Sequence, residues 1–369
     1  MKSPLLDFFA DLPDPRVERT KLHKLEDILA ITICAVICGA EGWNEIELFG
    51  RSKQQWLKTF LELPNGIPSH DTFARVISSI RPDDFERRFQ TWAQAIAEGA
   101  GDRVIAIDGK TLRRSFDNAN GKAAIHMVSA WACDTKMVFG QIATDEKSNE
   151  ITAIPKLLEM LVLEGSVVTI DAMGCQKKIA EKIKESNGDY IFSLKGNHGT
   201  LHDEVKLFLD DAIANHGVDD YNCNADGGHG RVEVRNVWYS ENVQWMADRQ
   251  QWQGLASLIA VESQRTIGNK ISTERRYFIS SLSGINAEII GRMIRSHWGV
   301  ENTLHWSLDV SFGEDDCRIR KDFGAENFSR LRRIALNLLK QEKTAVCGIK
   351  AKQHKAGWDE KYMLKVLKI

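Results

Sequence analysis

The chain has 369 residues, is 43% hydrophobic and 27% charged, and carries a formal net charge of −2. This is the profile of a globular protein of two or three domains with length for a large core, and it excludes a generally basic nucleic-acid binder. Seven scattered cysteines without a C-x-x-C pair exclude a disulfide framework and a structural zinc site, and they fit a reduced, cytoplasmic chain.

Residues 1 to 97 read as helices. The run Ile28 to Ala40 is too short to span a bilayer, and the opening MKSPLLDFFADLPDPR has acids and prolines where a signal would be apolar, so neither a membrane span nor a leader is expected. Leu25 to Cys38 is apolar nearly all round, as a buried helix is. GAEGW breaks it, and Asn44 to Leu61 resumes with mixed faces. In PNGIPSHDTFARVISSI, Pro and Gly make a turn and Ser69 or Asp71 caps a new helix. Two helices joined this way suit a helix-turn-helix entering a major groove, and equally a plain bundle.

From Asp102 the composition changes to strands. VIAIDG is followed by AAIHMVSAWACDTKMVFGQIAT, a hairpin turning through Cys133 to Lys136. Then come a helix over Asn149 to Leu163, the strand SVVTID, a helix with Lys177 and Lys178, the strand DYIFSL, and a helix around His202 to Ala214. A mixed sheet with helices on its faces is an α/β domain. Residues 215 to about 283 carry the β-like runs RVEVRNVWY, GLASLIAVES and RRYFISSL, read as an inserted β-rich region, and a long helix is predicted over Ala287 to Leu308. From Lys321 onward nine Lys and three Arg face two Asp and three Glu, a net of +7 that leaves −9 for the rest. A basic end on an acidic body suits a protein that holds a polyanion with one part and metal ions with another; a solvated, lysine-rich helix gives the same count.

The stretch VIAIDGKTLRR, Val104 to Arg114, is apolar without alternation, so it predicts a strand covered on both faces, with Asp108 at its carboxyl end. That edge is where open α/β sheets bind ligands. Gly109 is expected to let the backbone turn, with Lys110, Arg113 and Arg114 placing positive charge beside the carboxylate. SVVTID ends the same way on Asp171. If the two strands are neighbours, the two aspartates converge.

The predicted helix 287–308 carries the stripe Ile290, Ile294, Trp298, Glu301, His305 and Leu308, so Glu301 stands where an apolar residue is expected. A buried carboxylate must be protonated, paired (here with Arg295 or Arg318) or bound to metal. Three carboxylates from two strand ends and a helix are hard oxygen donors suited to Mg²⁺ or Mn²⁺. Two such ions about 3.5–4 Å apart can activate water and stabilise a leaving oxygen in phosphodiester displacement, with the neighbouring cations on phosphates. Asp309, Glu314, Asp315 and Asp316 are alternative donors, ranked below Glu301 because SFGEDD reads as an exposed turn. His126, His198 and His305 have no zinc-ligand spacing.

The motifs FFADLPDPR, IPSHDTFARV, AIDGKTLRRS, EKSNEITAIPKLL, TIDAMGCQ, LKGNHGTLHDEV, HGRVEVR, HWGVENTLHWSLDVSFGEDDCRIR and LRRIALNLLK extend across nearly the whole chain. Together they make it resemble the DDE transposases of bacterial insertion sequences, and more narrowly the H-repeat-associated proteins found with Rhs elements. The resemblance implies an RNase H-like catalytic domain with a β-rich insertion ahead of its last catalytic residue, and it places the three metal-binding catalytic acids on Asp108, Asp171 and Glu301. Related transposases carry a Tyr, an Arg and a Lys around that glutamate. The aligned positions here are Ile294, His297 and Leu308, so that signature is not met, and Arg295, Arg318 and Arg320 are alternative phosphate contacts.

In HGRVEVR, alternation puts Arg231, Glu233 and Arg235 on one strand face after His229. This is either a salt-bridged solvent face or, with Lys177, a basic surface guiding DNA. Trp298 and Trp306 suit either stacking on an unpaired base or a buried role. The expected organisation is a helical N-terminal DNA-binding domain (1–97), a catalytic domain (98–345) with its insertion, and a basic C-terminal tail (346–369). The expected partners are double-stranded DNA, at element termini and target, and further copies of the chain on paired ends. Two rivals remain open: an RNase H-like nuclease that cuts without joining, and an inactive remnant kept as a DNA-binding protein.

Overall fold

A computed structural model describes residues 4–97, 104–116, 121, 123–144, 150–228 and 231–369. Asn149 and His229 lie outside the described residues. The N-terminal helices are α1 (Pro4–Phe9), α2 (Leu25–Ile37), α3 (Trp43–Ser52), α4 (Gln54–Leu57), α5 (His70–Ser79) and α6 (Pro82–Ala97). α2 is buried from Asp27 to Ile37, as its all-round apolarity requires. The helix expected over 44–61 divides at Lys53 into α3 and α4. The Ser69 hydroxyl accepts from the Thr72 N–H and caps α5.

Next come β1 (Val104–Thr111), β2 (His126–Ala132), β3 (Met137–Thr144), α7 (Glu150–Leu158), β4 (Val167–Ile170), α8 (Lys177–Glu185), β5 (Asp189–Leu194) and α9 (Thr200–Ala214). Four strands follow, β6 (Asp220–Gly228), β7 (Arg231–Ser240), β8 (Ser257–Ile267) and β9 (Lys270–Ser280), then α10 (Ala287–His297), α11 (Trp306–Val310), α12 (Gly324–Gln341), α13 (Ile349–Trp358) and α14 (Glu360–Leu367). The segment read as a basic tail thus forms two helices.

All nine strands form one mixed sheet in the order β3-β2-β1-β4-β5-β9-β8-β7-β6. β1, β4 and β5 are parallel and β2 is antiparallel to both its neighbours, the RNase H-like arrangement the resemblance implies. The inserted region extends this sheet, because β9 pairs antiparallel with β5. β6 was not legible as a strand, since DYNCNADGG is poor in β-formers and is held mainly by pairing with β7 at an exposed edge.

β1 separates two cores, as its unbroken apolarity predicts. Ala106 faces a core built from α2, α5, α6, α12 and the C-terminal helices, and Ile105 and Ile107 face a core with α7, α8 and α9. A third cluster seats Ile290 and Ile294 of α10 across Val167, Ile191, Phe278 and Val237 of the sheet. No helix among the described residues is long and apolar enough to cross a membrane.

Candidate active site

The parallel register of β1 and β4 sets the site. Ile107 pairs with Ile170, the last residue of β4, so Asp108 and Asp171 each directly follow a paired residue, and both line one cleft. Asp108 remains paired to Ser129 of β2, and the backbone does not turn at Gly109. Gly109 is required for another reason: a Cβ there would lie 2.2 Å from His126 Nε2 and 2.3 Å from Glu150 Oε1. Those two side chains form a buried pair at 2.5 Å behind the strand, and Thr111 Oγ1 bonds His126 Nδ1 at 2.9 Å. Asp171 is fixed by its own loop, since Oδ1 accepts from the Met173 and Gly174 N–H groups at 3.0 and 3.4 Å.

Glu301 reaches the same place by a route the 3.6-residue period does not show. Residues Val300–His305 form a π-helical turn between α10 and α11. The expected stripe breaks here: Val300 and Leu304 of the turn are buried, while Glu301, and Trp298 just before the turn, are exposed. Glu301 is therefore not the buried stripe residue the sequence predicted. It lines a cleft of about 250 Å³ with Asp108, Asp171, Lys195, Arg276, His297 and Trp298.

Burial, together with the nearby Asp171, Glu301 and Glu150 carboxylates, pushes Asp108 up to about 7. Two histidines beside the acids are held neutral by burial. His297, bonded to Thr169 Oγ1 at 2.9 Å, falls to about 4, as does His305, whose Nδ1 lies 3.7 Å from Asp108 Oδ2. Neither compensates the acids. Among the described residues no three His, Cys, Asp or Glu side chains are drawn into a ready-made ion cage. The donor chemistry nevertheless fits a hard divalent cation: carboxylate oxygens on one cleft, one of them hard to ionise without added positive charge.

The other acids expected as alternatives are already neutralised. Lys110 is buried and contacts Asp315 at 2.5 Å, Asp309 at 2.8 Å and Glu314 at 3.9 Å. Glu314 is fully buried against Arg333 at 2.8 Å, so SFGEDD is not an exposed turn. Lys110 thus serves these acids and leaves no charge for phosphate. Arg113 and Arg114 pair with Asp315 and Asp316 at 3.1 and 3.2 Å, and Arg320 donates to the Arg114 carbonyl at 2.9 Å. Arg318 lines a separate cleft of about 1120 Å³ with Glu41, Glu45 and Arg320. Lys177 bonds Gln251 and lies 3.7 Å from Asp248, outside the acidic cleft.

A third group of nominated cations does adjoin the acids. Arg231 and Arg235 share Glu233 at 3.6 and 2.7 Å, joined by Arg265 at 3.9 Å. With Arg276 and Arg295 they line a trough of about 410 Å³ that shares Trp298 and Glu301 with the acidic cleft. Arg295 itself pairs with Asp226 at 2.5 Å. Trp298 is exposed and carries the Arg276 guanidinium 4.3 Å above its ring, and Trp306 is exposed too.

Comparison with known proteins decides the family. The family model described as "Transposase DDE domain" matches residues 99–338, and one described as "DDE_Tnp_1-associated" matches residues 6–93. The chain is 44% identical over 368 residues to "H repeat-associated putative transposase YhhI" of Escherichia coli K12, spanning 98% of this chain and 97% of that one. This chain belongs to the DDE transposases, in their H-repeat-associated branch. "Putative transposase YncI" of Escherichia coli O157:H7 is 43% identical across 98% of this chain and 94% of its own. A distant structural likeness, TM-score 0.43 and 14% identity over 96% of this chain and 75% of the other, is to a piggyBac transposase in a synaptic complex with hairpin DNA.

In this DDE transposase the positions aligned with the Tyr, Arg and Lys of related enzymes are structural or neutral. Ile294 and Leu308 are buried, and His297 is bonded to Thr169. The cations that do line the cleft, Lys195 and Arg276, were not singled out from sequence. A signal existed for Lys195: it follows DYIFSL as Asp171 follows VVTI. Arg276 was detectable only as the partner of Phe278 in the alternation of β9.

Proposed function

We propose that this DDE transposase cuts DNA at the ends of its element and joins them to target DNA, with Asp108, Asp171 and Glu301 as the catalytic, metal-holding acids. The observation that supports this reading is one cleft lined by Asp108, Asp171 and Glu301, with the first two acids directly following paired residues of the parallel strands β1 and β4. Mg²⁺ or Mn²⁺ bound by these carboxylates would supply Lewis acidity toward the phosphate and activation of the attacking water.

The rest is done by the chain's own groups. The arginine trough holds the duplex backbone on one side of the cleft, where Arg231, Arg235 and Arg265 outnumber the Glu233 they share. His297 and His305, held neutral, add no charge that would compete with cation binding. Water attacks the phosphodiester at the element terminus and displaces its 3′-oxygen, and the freed 3′-hydroxyl then attacks a target phosphodiester in the same cleft, forming the new P–O bond as the target's own 3′-oxygen leaves. Two element ends held by two copies of the chain fit such a reaction. Within residues 1–97, the outward side chains of α5, His70 and Arg75 among them, are the positions proposed to meet DNA.

The purified chain, incubated with Mg²⁺, a plasmid carrying the gene's own flanking sequence and a target plasmid, is expected to give cut ends and joined products. Asp108→Asn is expected to abolish both and to keep the band shift. Cut ends without joined products would mark a nuclease, and a band shift without cutting in either Mg²⁺ or Mn²⁺ would mark a DNA-binding remnant.

A further inference from the structure

A polyanionic substrate entering a cleft of three carboxylates needs a protein cation beside the reacting phosphate, yet nearly all the nominated cations are engaged elsewhere. Lys110 serves Asp309, Asp315 and Glu314, Arg113 and Arg114 serve Asp315 and Asp316, and Lys177 lies by Asp248. Lys195 differs in three ways. It lines the cleft with Asp108, Asp171 and Glu301. It forms no ion pair among the described residues, and the acid on the neighbouring strand, Glu274, is bound by both arms of Arg276 at 2.8 Å.

Its backbone is also tied to the loop that carries Asp171. The Lys195 N–H donates to His198 Nδ1 at 3.4 Å, and His198 Nε2 donates to the Cys175 carbonyl at 3.1 Å. The Asn197 amide donates to the Ala172 carbonyl at 2.9 Å. Two bonds thus couple the turn after β5 to the turn after β4 and a third braces the first of these turns internally, so an exposed, flexible side chain starts from a fixed base beside the second aspartate. A solvated lysine opening a short 3₁₀ turn would not need that anchoring.

Resting on the proposed transposase reading, we infer that Lys195 contacts a non-bridging oxygen of the scissile phosphate and offsets the charge that builds there as water or a 3′-hydroxyl attacks. It takes the place left open by the neutral residues at 297 and 308. Its role is to donate hydrogen bonds to that oxygen, and it transfers no proton. His198 and Asn197 are positioning residues for it.

The test uses the full chain, its Lys195→Ala and Lys195→Arg variants, and a fluorescent duplex bearing the gene's flanking terminal sequence. Binding is measured in Ca²⁺ across a salt series, and cleavage separately in Mg²⁺. Removing one phosphate contact is expected to lower the slope of log affinity against log salt by about 0.9 in Lys195→Ala. Cleavage is expected to fall about 10²-fold, and Lys195→Arg is expected to restore the slope and much of the rate. An unchanged slope in Lys195→Ala, with or without a slower rate, overturns the contact, as does cleavage at the wild-type rate. A wild-type chain that binds but never cleaves removes the transposase reading, while the slope still decides whether Lys195 meets phosphate. Lys195 is exposed, so matching thermal unfolding of variant and parent is expected to show that the fold is intact.

Discussion

Asp108 carries the costliest charge in the cleft. Burial first, then the Asp171 and Glu301 carboxylates, raise its folded value to about 7 from the ordinary 3.8. The native chain therefore keeps a proton that the unfolded chain gives up, and the stability this lends is complete below pH of about 4 and lost as the pH rises toward 7. Asp108→Asn fixes the uncharged form. In metal-free buffer at pH 8 it is expected to be more stable than the parent by on the order of 2–4 kcal/mol, with the gap closing toward pH 4. Calorimetry of both proteins in chelator checks this, and equal stability at pH 8 would count against it. At this scale the sequence was informative about chemistry and blind to partners. The unbroken runs VIAI and VVTI pointed to Asp108 and Asp171, whereas nothing local showed that Lys110 would be consumed by acids about two hundred residues away, or that Lys195 would line the acidic cleft.

The π-helical turn at Val300–His305 is the element on which the third acid depends. Periodicity identified Glu301 as out of place but put it on a buried stripe. A uniform 3.6-residue period has no way to register one extra residue in one turn, so Glu301 is expected on the buried face and is exposed in the fold. Removing Thr303 is expected to restore α-helical register and to turn Glu301 about 100° relative to α11, following the 3.6-residue turn. Such a variant should keep the parent's far-UV circular dichroism and lose cleavage; retained cleavage would show that the turn does not position the acid. The inserted strands taught a similar lesson. β7, β8 and β9 were legible from alternation, but their docking onto β5 was not, because register between distant strands is set by tertiary packing.

Across the whole molecule, residues before β1 and after the catalytic strands share one core, with α12 packed against α2, α5 and α6. Part of the basic C-terminal composition belongs to this interior, although most of its lysines are exposed. Arg330, Arg332 and Arg333 are buried, Arg330 bonding Glu86 of α6 at 2.6 Å and Glu326 at 2.7 Å. Counting charges could not separate such interior arginines from a DNA-facing tail. Arg330→Met leaves Glu86 buried without its cation and is expected to cost about 3–5 kcal/mol in chemical denaturation. A loss below about 1 kcal/mol would mean that solvent reaches the pair.

The central claim, that Asp108, Asp171 and Glu301 share divalent cations, is tested most directly by anomalous diffraction from crystals of the chain soaked in Mn²⁺. Manganese peaks are expected in the cleft bounded by these three carboxylates, and their loss is expected in Asp108→Asn. Peaks confined to Asp309 and Asp315, or a cleft without manganese when the ion binds in solution, would contradict it.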